Sequence, residues 1–261
     1  MALGWWQRWR AQRAQQREIP ESLWQATLDA LPFVRRWPAE DLATLRQLVR
    51  QFLDEKEFSG AGGLEVNDAM ALCIAVQACL PVLRLGLGPY DGFIGIVVQP
   101  GEVVARREYV DEHGIAHEFN EVLAGEAVHG GPLMLSWPDV RDAGSTAALA
   151  YNVVVHEFAH VIDMADGLAD GIPPLPDAKA RRRWDGVLQL EYERFCRNVD
   201  SGDATALDPY GAEAPTEFFA VAAEAFFVSP EAMRDEHPWL YPLFVGFFGQ
   251  DPAALPALNA A

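Results

Sequence analysis

Apolar residues recur three and four positions apart through residues 18–57. Leu42, Leu45, Leu48, Val49 and Phe52 fall on one helical face there, and Pro20 and Pro38 punctuate the run. Phe58–Gly63 is glycine-rich and reads as a turn. Asn67-Asp68 then caps a helix expected through Ala69–Cys79, rich in Ala, Ile and Val and ended by Pro81. Tyr90-Asp91-Gly92 reads as a turn and Phe93–Gln99 as a buried strand. Arg106–Tyr109 and Glu118–Leu123 read as short strands around an Asp111–Gly114 turn. Leu133–Trp137, after Gly130-Gly131-Pro132, reads as the last strand.

Helical patterns dominate the second half. Gly144-Ser145 offers a start, with Ser145 as N-cap, and Gly167 a stop. Between them Val153–Val155 are β-branched and locally strand-like, but the length of the run favours a buried helix. Pro173, Pro174 and Pro176 mark a loop, followed by a helix over Arg181–Asn198 and an irregular stretch over Asp200–Ala214. Glu217–Val228 reads as a further helix, and Pro238–Gly249 as an aromatic-rich one. Helices flanking a modest sheet around one core predict a single α+β domain over residues 18–261, with no linker. Residues 1–17 stand apart. Trp5, Trp6 and Trp9 lie among Arg8, Arg10 and Arg13 as a short stripe suited to its own domain, a membrane surface or a partner.

The formal net charge of −18 argues against nucleic acid as a direct ligand, since no Lys/Arg cluster outside the N-terminus is large enough to neutralise many phosphates. Three cysteines, Cys73, Cys79 and Cys196, are an odd number with no zinc-knuckle spacing, so no disulfide framework is expected. No secretory apolar region opens the chain and no uncharged apolar run reaches the length of a membrane span, which predicts a cytoplasmic protein.

The chemistry lies in His156-Glu157-Phe158-Ala159-His160, an H-E-x-x-H pattern. Imidazoles four residues apart on a helix share a face and can grip one metal ion, zinc above all. The intervening carboxylate can take a proton from water beside the ion and pass it to a leaving amine. A catalytic zinc site needs a third protein ligand, and two placements compete. Asp166 lies six residues past His160, but Asp163 stands where that layout needs a glycine to turn the chain back. Glu217 and Glu224 lie seven residues apart in an otherwise apolar segment, where an unpaired carboxylate is costly and a cation removes the cost. Glu217 then serves as ligand, while Glu224 and Asp163 orient imidazole N–H groups. Tyr210, in the loop before, could donate to an oxyanion or be structural. Leu133, Leu135 and Trp137 fit an edge strand that holds substrate backbone by strand addition.

The motif with Ile162-Asp163-Met164 resembles the zinc peptidases of the Mlc titration factor A family. So do Gln77-Ala78-Cys79-Leu80-Pro81, Tyr90-Asp91-Gly92, Gly125-Glu126, Gly131-Pro132 with Leu135-Ser136-Trp137, and Tyr210 with Glu217-Phe218-Phe219. The stretch from His156 to Asp163, with Tyr210 and Glu217, is also similar to the catalytic domain of anthrax lethal factor. The resemblance implies a zincin or gluzincin-like fold, its metal-binding helix central on a small mixed sheet. It implies one zinc ion held by His156, His160 and Glu217, Glu157 as general base and Tyr210 as transition-state donor. It also implies aminopeptidase-like activity on small substrates, a peptide or protein substrate, and a repressor of the Mlc type as partner. The competing expectation is a non-catalytic protein that titrates a regulator, its structural zinc closed by a fourth ligand, His117 or His129.

Overall fold

The computed structural model describes residues 18–101, 103–110, 116–123, 125–127 and 131–256. For residues 103–110, 116–123, 126 and 127 it describes the backbone alone. The first stretch is helical, as the spacing predicts: α1 Glu21–Ala30, α2 Pro32–Arg35 and α3 Ala39–Glu55. In α3, Leu45, Val49, Phe52 and Leu53 are buried, and Glu40 and Asp41 sit in the first turn, where the helix dipole favours anions. α4, Asp68–Cys79, begins at the expected cap, with the Asn67 side chain accepting from Met70 N.

The glycine-rich stretch after α3 is not simply a turn. Glu57–Gly60 forms β1, parallel to β2 (Gly95–Gln99), with Phe58 opposite Ile96. Phe58 is the one buried side chain of β1, so tertiary pairing makes the strand and local alternation does not announce it. A Cβ at Gly60 would come within 1.8 Å of the Leu64 carbonyl oxygen, which fixes glycine there.

The sheet runs β1-β2-β6-β5. β6 is Leu133–Ser136 and β5 is Gly125–Ala127; the first three strands in the row are parallel and β5 is antiparallel. The expected mixed sheet is therefore present, but Leu133–Ser136 is not an edge. β2 and β5 take its backbone on both sides, Leu133 and Leu135 are buried, and Trp137 already opens the next helix. β3 (Val103–Val110) and β4 (Ala116–Leu123) form a separate antiparallel ladder. The expected Asp111–Gly114 turn lies outside the described residues.

The motif helix starts later than the sequence suggests. α5 runs Trp137–Thr146, straight through Gly144-Ser145. Gly144 packs there against the Ala30 carbonyl oxygen, where a Cβ would come within 2.1 Å. A single tight turn over Ala147–Leu149 leads to Ala150 in the left-handed region, φ 58°, which stops the helix. Asn152, not Ser145, caps α6 (Val153–Asp163), its side chain accepting from Val155 N at 2.9 Å. The expected stop is present: a 3-10 turn over Met164–Asp166 ends at Gly167, φ 91°. α7 Ala178–Ser201, α8 Pro215–Val228, α9 Pro230–Glu236 and α10 Tyr241–Phe248 follow, α9 being too short for its periodicity to stand out in the sequence. No described helix is long and apolar enough to cross a membrane. The three cysteines are free thiols.

α6 packs against α8, α4, α5, β5 and β6, so the motif lies at the centre of the fold. Its back face is set on an aromatic block. Phe158 meets Tyr90 at 4.8 Å between ring centroids, Phe93 at 5.6 Å and Phe52 at 5.7 Å. Buried Lys56 braces this block, bonding the Tyr90 carbonyl and, at 2.8 Å, that of Phe93. Phe52→Ala should therefore lower unfolding free energy by about 3–5 kcal/mol in a denaturant titration. A loss under about 1 kcal/mol would mean the block does not support the helix.

Candidate metal centre

His156 and His160 lie one turn apart on α6, and Glu217 lies in the first turn of α8. The two Nε2 atoms are 3.2 Å apart, and each is 3.2 Å from Glu217 Oε2. Among the described residues, these three side chains form the group whose donor atoms could hold a metal ion together.

The donor set fits a cation. Glu224 Oε1 lies 2.7 Å from His156 Nδ1, so the ring proton belongs on Nδ1. A neutral His156 then turns the lone pair of Nε2 toward a carboxylate oxygen and a second imidazole nitrogen. Three converging acceptors repel one another unless positive charge lies between them. Zinc binds nitrogen and oxygen at ~2.0–2.2 Å in tetrahedral geometry, which spaces ligand atoms by about 3.3 Å. The observed 3.2 Å separations match that spacing.

The titration directions carry the same message. Burial would push the His156 imidazole down, but the carboxylates of Glu224 and Glu217 outweigh it and hold the ring well above its usual value. Burial would push Glu217 up, yet the hydrogen bonds and charges of His156 and His160 hold it well below the usual carboxylate range. In the metal-free cluster a proton does the work of the cation.

Glu157 points its carboxylate toward β5. It is 4% exposed and its Oε2 has no hydrogen-bond partner. Burial, more than any neighbour, raises its pKa, against the lowering effect of both imidazoles. Gly125 of β5 lies directly on it, and a Cβ there would fall 2.6 Å from Glu157 Oε1. The sequence shows this glycine only as part of a family pattern; the reason for it is this approach of backbone to carboxylate. Tyr210 sits in a 3-10 turn over Pro209–Ala212, with Asp208 Oδ1 accepting from its backbone N–H. Its ring centroid is 6.0 Å from that of His156.

Glu224 Oε1 contacts His156 Nδ1, and its Oε2 accepts from Asn152 N at 2.5 Å. Asp163 does not take the matching part at His160. Its Oδ2 accepts from Gly171 N at 2.9 Å, so it ties down the chain after α6, and burial lifts its pKa to about 6. Asp166 lies away from the cluster, accepting from Leu168 N and Arg181 Nη1, because the chain continues into a 3-10 turn and does not double back. Leu133 and Leu135 are core residues, and the sheet edge next to Glu157 belongs to β5. The side chain of His117 and the whole of His129 lie outside the described residues. Asn152 and Gln77, unremarked as site residues in the sequence, lie behind Glu224.

The family model for glucose-regulated metallo-peptidase M90 matches residues 5–249. An uncharacterised protein of Synechocystis is 33% identical over 249 residues, covering 95% of this chain and 90% of its own length. Mlc titration factor A of Escherichia fergusonii is 34% identical over 247 residues, covering 94% and 91%. Mlc titration factor A of Edwardsiella ictaluri is 35% identical over 226 residues, covering 85% of each chain.

The cluster predicts pH-linked metal binding. His156 lies above its reference value of 6.5, so its stabilisation of the metal-free protein is complete below that pH and is lost as pH rises through the raised pKa. Glu217 lies below 4.5, so its contribution is present above that value and is lost as pH falls through the lowered pKa. Zinc must displace the His156 proton. Calorimetry in buffers of different ionisation enthalpy should show about one proton released per zinc near neutrality, and affinity rising with pH. Release of no proton would contradict the cluster as described. Glu217→Ala should lower zinc content and Asp166→Ala should leave it unchanged; the reverse pattern would restore the other ligand layout.

Proposed function

The chain belongs to the glucose-regulated metallo-peptidase M90 family, and we propose that it is a zinc-dependent peptidase that hydrolyses peptide bonds with Glu157 as its base. The observation that carries this reading is the convergence of His156, His160 and Glu217 at 3.2 Å beside a buried carboxylate with one unpartnered oxygen. Zinc held by these three side chains would supply a Lewis acid that polarises the scissile carbonyl and brings the pKa of the attacking water toward neutrality.

Every other part of the reaction falls to the chain's own groups. Glu157, its pKa raised by burial, takes the proton of the attacking water and hands it to the departing amine. The Tyr210 hydroxyl donates to the oxyanion that develops on the former carbonyl oxygen. Glu224 holds the proton on His156 Nδ1, keeping Nε2 free to coordinate. The substrate backbone pairs with the outer edge of β5, whose Gly125 brings that edge against the base.

Residues 18–261 form the peptidase domain in this reading, preceded by the Arg/Trp-rich residues 1–17. The protein works in the cytoplasm with aminopeptidase-like activity on small substrates. A second reading has one observation behind it: several relatives bear the name Mlc titration factor A. A repressor of the Mlc type is then a binding partner, and the chain can sequester it whether or not it cleaves it.

Glu157→Gln should keep its zinc by elemental analysis and lose about 100-fold to 10,000-fold or more of peptide turnover. Turnover that survives in clean protein would refute Glu157 as base. The same variant, used as bait for a purified Mlc-type repressor, should retain the partner if sequestration is part of the function, and release it if only cleavage is.

A further inference from the structure

We infer that Gln77 and Asn152 are positioning residues for the metal centre, linked through a buried hydrogen-bond chain that ends on His156. The inference rests on the zinc reading of the site. Gln77 is fully buried in α4, a helix whose other buried side chains are apolar or thiol, and a buried amide there needs partners for both of its ends. Its Nε2 faces the carbonyl oxygens of Cys73 at 3.1 Å and Val140 at 3.4 Å, both acceptors only. That fixes which end of the amide is nitrogen, so Oε1 must accept, and it does so from Asn152 Nδ2 at 2.9 Å. The Asn152 amide is thereby oriented as well, with Oδ1 left to cap Val155 N at 2.9 Å.

Asn152 then acts on two levels. Its side chain caps the helix that carries both imidazoles, and its own backbone N–H bonds Glu224 Oε2 at 2.5 Å. The other oxygen of Glu224 holds His156 Nδ1 at 2.7 Å. The chain therefore runs from α4 through the start of α6 to α8 and back to the ligand. Every side chain in it is shielded: Gln77 and Asn152 are 0% exposed and Glu224 is 2% exposed. Removing the Gln77 amide frees Asn152 to rotate, which loosens both the cap and the carboxylate that sets the His156 ring. Groups that orient metal ligands are typically worth 10–100-fold in metal affinity; Asn152 lies one residue and Gln77 two residues beyond Glu224, which sets both at the lower end of that range.

The test is zinc affinity of the full chain by chelator competition, with folding followed by circular dichroism. Gln77→Met removes both ends of the amide at similar volume. Asn152→Ser keeps an oxygen able to cap Val155 N and removes Nδ2. Each variant should bind zinc roughly 10-fold more weakly than wild type, and the double variant no more weakly than the weaker single, because both changes cut one chain. Gln250→Met is the control. Its Nε2 donates to the Leu80 and Pro81 carbonyls just past the C-terminus of α4, outside the chain from Gln77 to His156, so it should lower the unfolding temperature and leave zinc affinity unchanged. Zinc affinity equal to wild type in folded Asn152→Ser or Gln77→Met would overturn the proposal. So would independent, multiplying losses in the double variant. If Gln77→Met does not fold, Asn152→Ser decides alone. A wild-type chain that binds no zinc would instead overturn the reading beneath.

Discussion

Two imidazole nitrogens and a carboxylate oxygen, each presenting a lone pair, sit 3.2 Å from one another where two helices meet. In a half-buried setting such a grouping is unfavourable unless positive charge joins it. Much of the fold serves to hold it together. α6 and α8 supply the donors from segments 57 residues apart in the chain, so no local preference can set their distance. It is set by packing. Phe158 seats α6 on Tyr90, Phe93 and Phe52, while Phe219 and Phe226 pack α8 against Trp184 of α7 and Phe244 of α10.

A small knot of bonds between side chains and the Gly171 backbone ties the elements around the two helices together. Gly171 donates its N–H to Asp163 at the end of α6 and accepts from Trp184 Nε1 on α7 at 3.1 Å. With φ 76° it also lies against Pro215 at the start of α8, where a Cβ would approach the carbonyl oxygen to 2.6 Å. One glycine thus joins three helices, two of which carry His156, His160 and Glu217. The turn bearing Tyr210 is held separately: Tyr192 Oη donates to the Ala212 carbonyl at 2.9 Å, and in the loop before the turn Glu236 Oε2 accepts from Ala206 N at 2.7 Å, next to buried His237 bonded to Glu191 at 2.8 Å. Among the described residues, buried Glu157 Oε2 and Asp163 Oδ1 have no hydrogen-bond partner near this cluster.

The H-E-x-x-H helix, the later glutamate helix and the α+β class were legible because each rests on a local signal. Two histidines at helical spacing and two carboxylates in an apolar run are visible without a fold. What was hidden depends on tertiary pairing. β1 is a strand because β2 and Phe58 make it one, and its glycines disguised that. The interior place of Leu133–Ser136 depends on β5, a three-residue strand too short to signal itself. The sequence conceals the cap of α6, because Asn152 is followed by apolar residues and the more obvious Gly144-Ser145 pair lies inside another helix. Asp163 was legible as a buried carboxylate near the motif but not as the partner of Gly171, a contact made only after the chain turns. Gln77 was visible as part of a family pattern, without the reason for its polarity in an apolar helix.

X-ray absorption at the zinc edge, on the full chain loaded with one equivalent of zinc, tests the centre most directly. Four light donors at ~2.0–2.1 Å are expected, with two imidazole scattering patterns, a carboxylate oxygen and an exchangeable solvent oxygen. A third imidazole pattern with no exchangeable oxygen, or a spectrum lacking the paired imidazoles, would contradict it.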